Sequence, residues 1–143
     1  MFSKYSKRDR RRFPFVAAML AVAAISNDIE EIILGGLAQI PYTSRLYKSV
    51  MSILDDFHNG ISQEKCFARI HEEYDEYTDY GWCHTIPNAM IVTAALFYGK
   101  GDYAKSICMA VETGFDTDCN GATVGSVLGM IIGFDKIPEY WKK

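Results

Sequence analysis

Residues 114–133 read GFDTDCNGATVGSVLGMIIG, and they hold both a clear helix signal and the clearest chemical signal of the chain. Gly114 breaks the segment before it, and a helix of apolar and small residues is predicted from Asp118 to Gly133. Helical spacing recurs through the rest of the sequence, whereas the alternating pattern of a strand is almost absent. The sequence therefore predicts an all-α protein, a compact multi-helix bundle.

Two carboxylates, Asp116 and Asp118, lie two residues apart where this helix begins. An Asp at a helix start is commonly an N-cap, whose side chain accepts hydrogen bonds from free backbone N–H groups. Neighbouring carboxylates repel each other, however, and a hard cation such as Mg²⁺ relieves the repulsion when both hold it. The pair cannot complete an octahedral shell of six oxygens, so water, substrate or another segment would have to contribute. Capping and metal binding both remain open at this point.

Glycine recurs every four residues along the same helix, at Gly121, Gly125, Gly129 and Gly133. Each glycine costs a helix about 1 kcal/mol relative to Ala, so glycines in register indicate a packing requirement. A glycine face lets another backbone or a ligand approach closely. The apolar part of this helix is too short to span a bilayer, so we predict close packing between soluble helices rather than a membrane dimer face.

The remaining helices are predicted from apolar spacing, caps, and glycine or proline breaks. Ser44 and Ser62 are predicted N-caps, and Asp28 with Glu31 forms a capping-box-like start. The first helix is apolar on nearly all sides, which predicts a buried helix. The predicted helices cover 15–24, 28–38, 45–57, a segment opening at residue 62, 88–98, 102–113 and 118–133. They form one helical domain over residues 14–143, after a basic N-terminal arm over residues 1–13.

Charge and cysteine usage set limits on partners and location. The net charge of −3 gives the whole chain no electrostatic bias toward nucleic acid, and the basic arm is expected to be a solvated terminus. No apolar run reaches the roughly 20 residues that cross a bilayer, so no membrane partner is expected. Four widely spaced cysteines without a C-x-x-C pair favour a reducing cytoplasm. An acidic group is predicted to be the solvated side of a helix: Glu72, Glu73, Asp75, Glu76 and Asp79.

The string at 114–126 resembles the C-terminal metal motif of the ADP-ribosylglycohydrolase family, which includes the dinitrogenase-reductase-activating glycohydrolases. Further matching segments lie in the expected order at 15–20 (FVAAML), 36–41 (GLAQIP), 44–46 (SRL), 84–89 (HTIPNA) and 137–141 (IPEYW). The resemblance runs over nearly the whole chain. It implies an all-helical fold, a dinuclear Mg²⁺ site (Mn²⁺ in some members) and hydrolysis of the glycosidic bond that joins ADP-ribose to a protein side chain or a small molecule.

By the same resemblance, Asp116 and Asp118 would be metal ligands, and so would the residue that follows them. The family usually has Thr at that third position, where this chain has Cys119, and a thiol is a poor partner for Mg²⁺. His84, Asn88 and Gly121 are candidate contacts to ADP-ribose or an ADP-ribosylated substrate. The alternatives are a structural hydrogen bond for His84 and a helix cap for Asn88. No catalytic residue is assigned.

The family's N-terminal G-D-A-x-G segment and its later Thr-Asp-Asp run are absent from this sequence. The one adjacent Asp pair, Asp55-Asp56, is predicted to lie on the surface. We therefore expect an incomplete, C-terminal portion of the fold, whose site a separate chain completes with the N-terminal half. Apolar surface is then expected where the missing helices would pack, particularly along the glycine positions. The alternative is a non-catalytic helical module or a remnant that binds ADP-ribose or a partner protein.

Overall fold

The computed structural model describes residues 12–78 and 81–142, and within these ranges every regular element is a helix. Seven α-helices follow one another: α1 Arg12–Ala23, α2 Ile29–Leu37, α3 Arg45–His58, α4 Gln63–Glu73, α5 Thr85–Gly99, α6 Tyr103–Glu112 and α7 Thr117–Ile132. Two short 3₁₀ helices follow α7, at Phe134–Lys136 and Glu139–Lys142. The all-α prediction is confirmed for the described part of the chain.

Side chains at the predicted caps explain where three of the helices begin. Ser44 and Ser62 each accept a hydrogen bond from the backbone N–H three residues later, at 3.2 and 3.4 Å. Asp28 accepts from the amides of the first turn of α2, at 2.8 and 3.2 Å. The predicted capping box is incomplete, because the Glu31 carboxylate and the Asp28 backbone N–H both bond to the Ser26 hydroxyl instead of to each other.

Helix α5 is the centre of the bundle. All 15 of its residues are buried, and it contacts α2, α3, α4, α6 and α7. It begins at Thr85, before the predicted start, because His84 takes the N-cap position. Pro87 is tolerated in the first turn, where its missing N–H would have no helical partner. The prediction that Asn88 caps this helix is therefore wrong: Asn88 lies inside the first turn, and its side chain is buried.

Helix α1 is less buried than its apolar sequence predicted. Phe15, Met19 and Ala23 belong to the core, and the helix packs mainly on α2 and α7. Its opposite side carries Phe13, which is 83% exposed, and Ala17, which is also exposed. Because its neighbours cover one side only, the prediction that this helix is buried is wrong.

The glycine positions of α7 pack against α6, as predicted, over the first half of the helix. A Cβ on Gly121 would lie 2.9 Å from Val111 Cγ2, and a Cβ on Gly125 would lie 3.3 Å from Ile107 Cδ1. A Cβ on Gly129 would meet its nearest neighbour only at 3.9 Å. The expectation of exposed apolar surface along the glycine positions is therefore wrong at Gly121 and Gly125, which α6 covers, whereas Met130 and Phe134 near the end of the helix are exposed.

Replacement of Gly36 by Ala is expected to lower the free energy of unfolding by about 1–3 kcal/mol. A Cβ there would lie 2.7 Å from Phe15 Cδ2 and 2.8 Å from the Phe15 carbonyl oxygen, so α1 and α2 would have to move apart. Gly129→Ala is the matched control, because it meets no close atom and Ala favours a helix by about 1 kcal/mol over Gly. Urea denaturation measures both variants, and a Gly36→Ala protein as stable as the control would contradict this packing.

Within the described ranges, no helix combines the length and the apolar character that a membrane span requires. The predicted basic arm lies outside the described residues, apart from positions 12 and 13 at the start of α1. The expected cytoplasmic location rests on the cysteine pattern and stays a prediction, as does the expected absence of a nucleic-acid partner.

Candidate metal centre

The turn between α6 and α7 carries the two carboxylates in a rare backbone conformation. Gly114 and Phe115 both have positive φ angles, +89° and +60°. Glycine adopts this region freely, whereas Phe115 does so at a cost of order 1–3 kcal/mol. Such backbone strain persists only where surrounding residues fix the conformation. The contacts of this turn therefore identify the residues that hold it.

Contacts from α4 and the segment after it hold one side of this turn. The Phe115 backbone N–H donates to Glu76 at 2.7 Å. The Phe115 ring is buried, with its centroid 5.2 Å from that of His71. His71 Nε2 in turn lies 3.0 Å from Thr113 Oγ1. The residues on both sides of Gly114 are thus tied to the same neighbouring segment.

Glu76 corrects the prediction of a solvated acidic helix face. Helix α4 ends at Glu73, so Glu76 lies beyond the helix, and it is partly buried against the turn. Glu72, Glu73 and Asp75 are exposed, as predicted. Asp79 lies outside the described residues. The Glu76 carboxylate therefore serves as a hydrogen-bond acceptor for the backbone of the Gly114–Phe115 turn.

Asn88, in the first turn of α5, holds the other side of the turn. Its carboxamide oxygen accepts hydrogen bonds from the Asp116 backbone N–H at 3.1 Å and from Asn120 Nδ2 at 2.7 Å. Its Nδ2 donates to the carbonyl oxygens of Trp82 and His84, both at 2.9 Å. The Asn88 side chain is 0% exposed. It fixes the Asp116 backbone relative to the central helix.

Asp116 occupies the N-cap position of α7 without capping it. Its side chain makes no capping hydrogen bond, whereas Asp28 and Asp102, at the same position of α2 and α6, each accept from free backbone amides. Asp116 is only 8% exposed. Because a carboxylate removed from water needs a compensating partner, its position calls for another explanation. The capping interpretation of Asp116 is not supported by this geometry.

A carboxylate oxygen of Asp116, one of Asp118 and the sulfur of Cys119 all lie within 4.8 Å of one another. In the part of the chain that the structure describes, no other group of three His, Cys, Asp or Glu side chains is close enough to hold an ion. Asp118 and Cys119 are exposed, so the group opens to solvent beside the buried Asp116. The structure brings together all three residues that were predicted as metal ligands.

These donors fit a divalent cation but do not all fit magnesium. The two carboxylates supply oxygens, which Mg²⁺ and Ca²⁺ prefer, whereas the Cys119 sulfur suits softer ions. Next in sequence, Asn120 Oδ1 is buried and accepts no hydrogen bond. A buried acceptor without a donor is uncommon and is expected where an ion or a water completes the shell. The two carboxylates therefore supply the oxygen donors of the candidate metal site, and the Asn120 acceptor lies on the same helical turn.

The predicted substrate contacts lie around the same turn. His84 Nδ1 accepts from the Ile86 backbone N–H at 3.3 Å, and its ring stacks on Tyr74 with the centroids 5.9 Å apart. Burial raises the pKa of the Tyr74 hydroxyl above its ordinary value. Gly121 is buried where α7 meets α6. All three predicted residues, His84, Asn88 and Gly121, have structural contacts, and a direct contact with substrate stays a prediction.

Sequence reasoning did not single out Glu76 or Asn120 as residues of this site. Asn120 lies one helical turn after Asp116, and this i, i+4 spacing could have indicated that both lie on one side of the helix start. Glu76 carried no comparable signal, because it lies 39 residues from the Phe115 amide that it binds. Its role as a hydrogen-bond acceptor for this turn is visible only in the fold, where the segment after α4 passes beside the turn.

A family of known proteins matches this chain. The family model described as ADP-ribosylglycohydrolase matches residues 14–143, which is most of the sequence. No curated protein and no solved structure matches it. The matching family is helical, hydrolytic and in general metal-dependent, and it acts on ADP-ribosylated substrates. The chain belongs to the ADP-ribosylglycohydrolase family, as the resemblance of its sequence predicted.

Proposed function

We propose that this chain forms part of a metal-dependent hydrolase site that cleaves ADP-ribose from modified proteins or small molecules. The observation that supports this most strongly is Asp116, a buried carboxylate at a helix start that makes no capping bond and lies beside Asp118 and Cys119. Membership of the family supports the class of reaction and the class of substrate. The proposal goes further by assigning the metal-binding role to this one turn.

Asp116 and Asp118 are the proposed ligands of a dinuclear site, with Mg²⁺ as the ion that the family resemblance implies and Mn²⁺ as its substitute. Bound ions of this kind supply fixed positive charge that orients substrate and water and stabilises developing negative charge. Asp116 and Asp118 then hold the ions and transfer no proton. Asn88 positions Asp116 through its backbone N–H. His84 and Gly121 are the proposed neighbours of the ADP-ribose.

A separate chain is proposed to supply the remaining ligands. Two octahedral ions need far more donors than Asp116, Asp118 and their neighbours offer. The described residues contain no second group of acidic or sulfur ligands. The same observation favours an alternative, a non-catalytic helical module that binds ADP-ribose or a partner protein through this partial site. Turnover of an ADP-ribosylated substrate would exclude the non-catalytic module.

Titration calorimetry of the full chain with ADP-ribose tests this proposal. We expect binding that requires a divalent cation and that falls by about 10–100-fold or more in Asp116→Asn. Asp55→Asn is the matched control, because Asp55 is an exposed carboxylate on α3, outside the metal-ligand group. Release of ADP-ribose from a modified protein is followed in parallel by chromatography. Binding without release is expected both for the module and for a chain whose remaining ligands come from another chain, whereas metal-independent or absent binding contradicts the proposal.

A further inference from the structure

The ligand group contains a sulfur atom among its donors. Cys119 Sγ lies within 4.8 Å of the carboxylate oxygens of Asp116 and Asp118. Cys119 is exposed on the first turn of α7, so ions in solution can reach it. Independent support for a bound ion comes from the family, which is in general metal-dependent. The unsatisfied, fully buried Asn120 Oδ1 on the same helical turn adds to it.

We propose that Cys119 Sγ is a metal ligand and that this site therefore selects a thiophilic divalent cation, Zn²⁺, over the oxygen-preferring Mg²⁺ and Mn²⁺. The inference rests on the proposed function, since it concerns the ion that the same residues bind. It departs from the magnesium that the family resemblance implies. The reason for this difference is the donor atom Cys119 Sγ, at a position where the family usually has Thr.

The number and kind of donors agree with zinc. Zn²⁺ sites commonly have three protein ligands drawn from Cys, His, Asp and Glu, with a fourth position open to water or substrate. Asp116, Asp118 and Cys119 make such a set of three, and the exposed side of the group leaves the fourth position to solvent. Within this set of three, Mg²⁺ would be held by the two carboxylates alone and would gain nothing from the sulfur.

The distances between the three donor atoms also agree with a zinc site. Tetrahedral ligand atoms bound to Zn²⁺ at about 2.0–2.3 Å lie roughly 3.5 Å apart, so the three atoms need to close by about an ångström or less each. The backbone of the buried Asp116 is held by the Asn88 side chain, whereas Asp118 and Cys119 are exposed on the first turn of α7. On binding, the Cys119 S–H bond breaks, its electron pair forms the Zn–S bond, and the proton goes to solvent. No oxidant or reductant is involved.

The affinities of the full chain for Zn²⁺, Co²⁺ and Mn²⁺ test this inference, measured by competition with a chelating dye. Zn²⁺ binds most protein sites more tightly than Mn²⁺, so the diagnostic quantity is the change in the Zn²⁺-to-Mn²⁺ affinity ratio. We expect this ratio to fall about tenfold or more in Cys119→Ser and Cys119→Thr. Cys108→Ser is the matched control, because Cys108 is an exposed thiol outside the ligand group, and it should keep the wild-type ratio.

Spectroscopy identifies the donor atom directly. The Co²⁺ complex of the wild type and of Cys108→Ser should show a thiolate-to-cobalt charge-transfer band that Cys119→Ser lacks. X-ray absorption of the zinc form should show a sulfur neighbour at about 2.3 Å. Circular dichroism verifies that each variant is folded before its affinity is compared.

The outcomes separate this inference from the proposed function. If the Cys119 variants keep the wild-type ratio and the charge-transfer band, Cys119 is not a ligand and the inference is overturned, while a site of Asp116 and Asp118 stands. If Zn²⁺ binding survives in Asp116→Asn, the ion lies elsewhere and the inference is again overturned. If no divalent cation binds in an Asp116-dependent way, the proposed function fails together with the inference.

Discussion

Replacement of Asp116 by Ala is expected to abolish the stabilisation that a divalent cation gives this chain, without lowering its stability in the absence of metal. The Asp116 side chain makes no capping bond, so α7 loses no partner for its free amides. Its removal also relieves repulsion from the nearby Asp118 carboxylate. A cation at about 100 times its Kd stabilises a protein by about 2.7 kcal/mol, and this amount should disappear. Thermal unfolding in the presence of the cation and of a chelator measures the difference.

Asp28→Ala is the matched control for this experiment. Asp28 occupies the N-cap position of α2, and its carboxylate accepts two backbone hydrogen bonds, so its loss should cost about 0.5–2 kcal/mol with or without metal. The two variants are therefore expected to show opposite patterns. If Asp116→Ala instead destabilised the metal-free chain as Asp28→Ala does, and left any metal effect intact, Asp116 would be an ordinary cap.

The helix starts that depend on local chemistry could be predicted from the sequence, and those that depend on neighbours could not. Ser44 and Ser62 bond to amides three residues away, so their signals lie within one turn. The start of α5 was placed too late because Asn88 resembles a cap in sequence. In the fold its amide is buried and bound to the α6–α7 turn instead. The burial of α1 was overstated for a similar reason, since apolar composition does not show how many neighbours a helix has.

Part of the candidate site could likewise be predicted from the sequence, and part of it could not. Asp116, Asp118 and Cys119 lie within four residues of one another at a helix start, so their proximity follows from the sequence alone. The contacts that hold this turn do not follow from the sequence, because Glu76 and Asn88 lie 39 and 28 residues away from the backbone N–H groups that they bind. The absence of a capping bond at Asp116 also became visible only in three dimensions. That absence is what separates the metal interpretation from the capping one.

Replacement of Asn88 by Ala is expected to lower the free energy of unfolding by roughly 3 kcal/mol and the affinity for a divalent cation by about 10–100-fold. The Asn88 amide makes four hydrogen bonds, and its removal leaves the Asp116 backbone N–H and Asn120 Nδ2 without their acceptor. Stability falls because buried polar groups lose their partners. Affinity falls because the Asp116 backbone is no longer fixed to α5.

The two effects can be separated with a second buried polar residue of the same helix. Thr93 is also 0% exposed, but its hydroxyl bonds only to the Ala89 carbonyl oxygen, within α5. Thr93→Ala should cost about 1 kcal/mol and leave cation affinity unchanged. Affinities are compared at a temperature where both variants are fully folded by circular dichroism. If Asn88→Ala then bound the cation as tightly as Thr93→Ala does, the Asn88 hydrogen bonds would stabilise the fold without positioning Asp116. Other contacts would then hold Asp116, and cation affinity would not depend on Asn88.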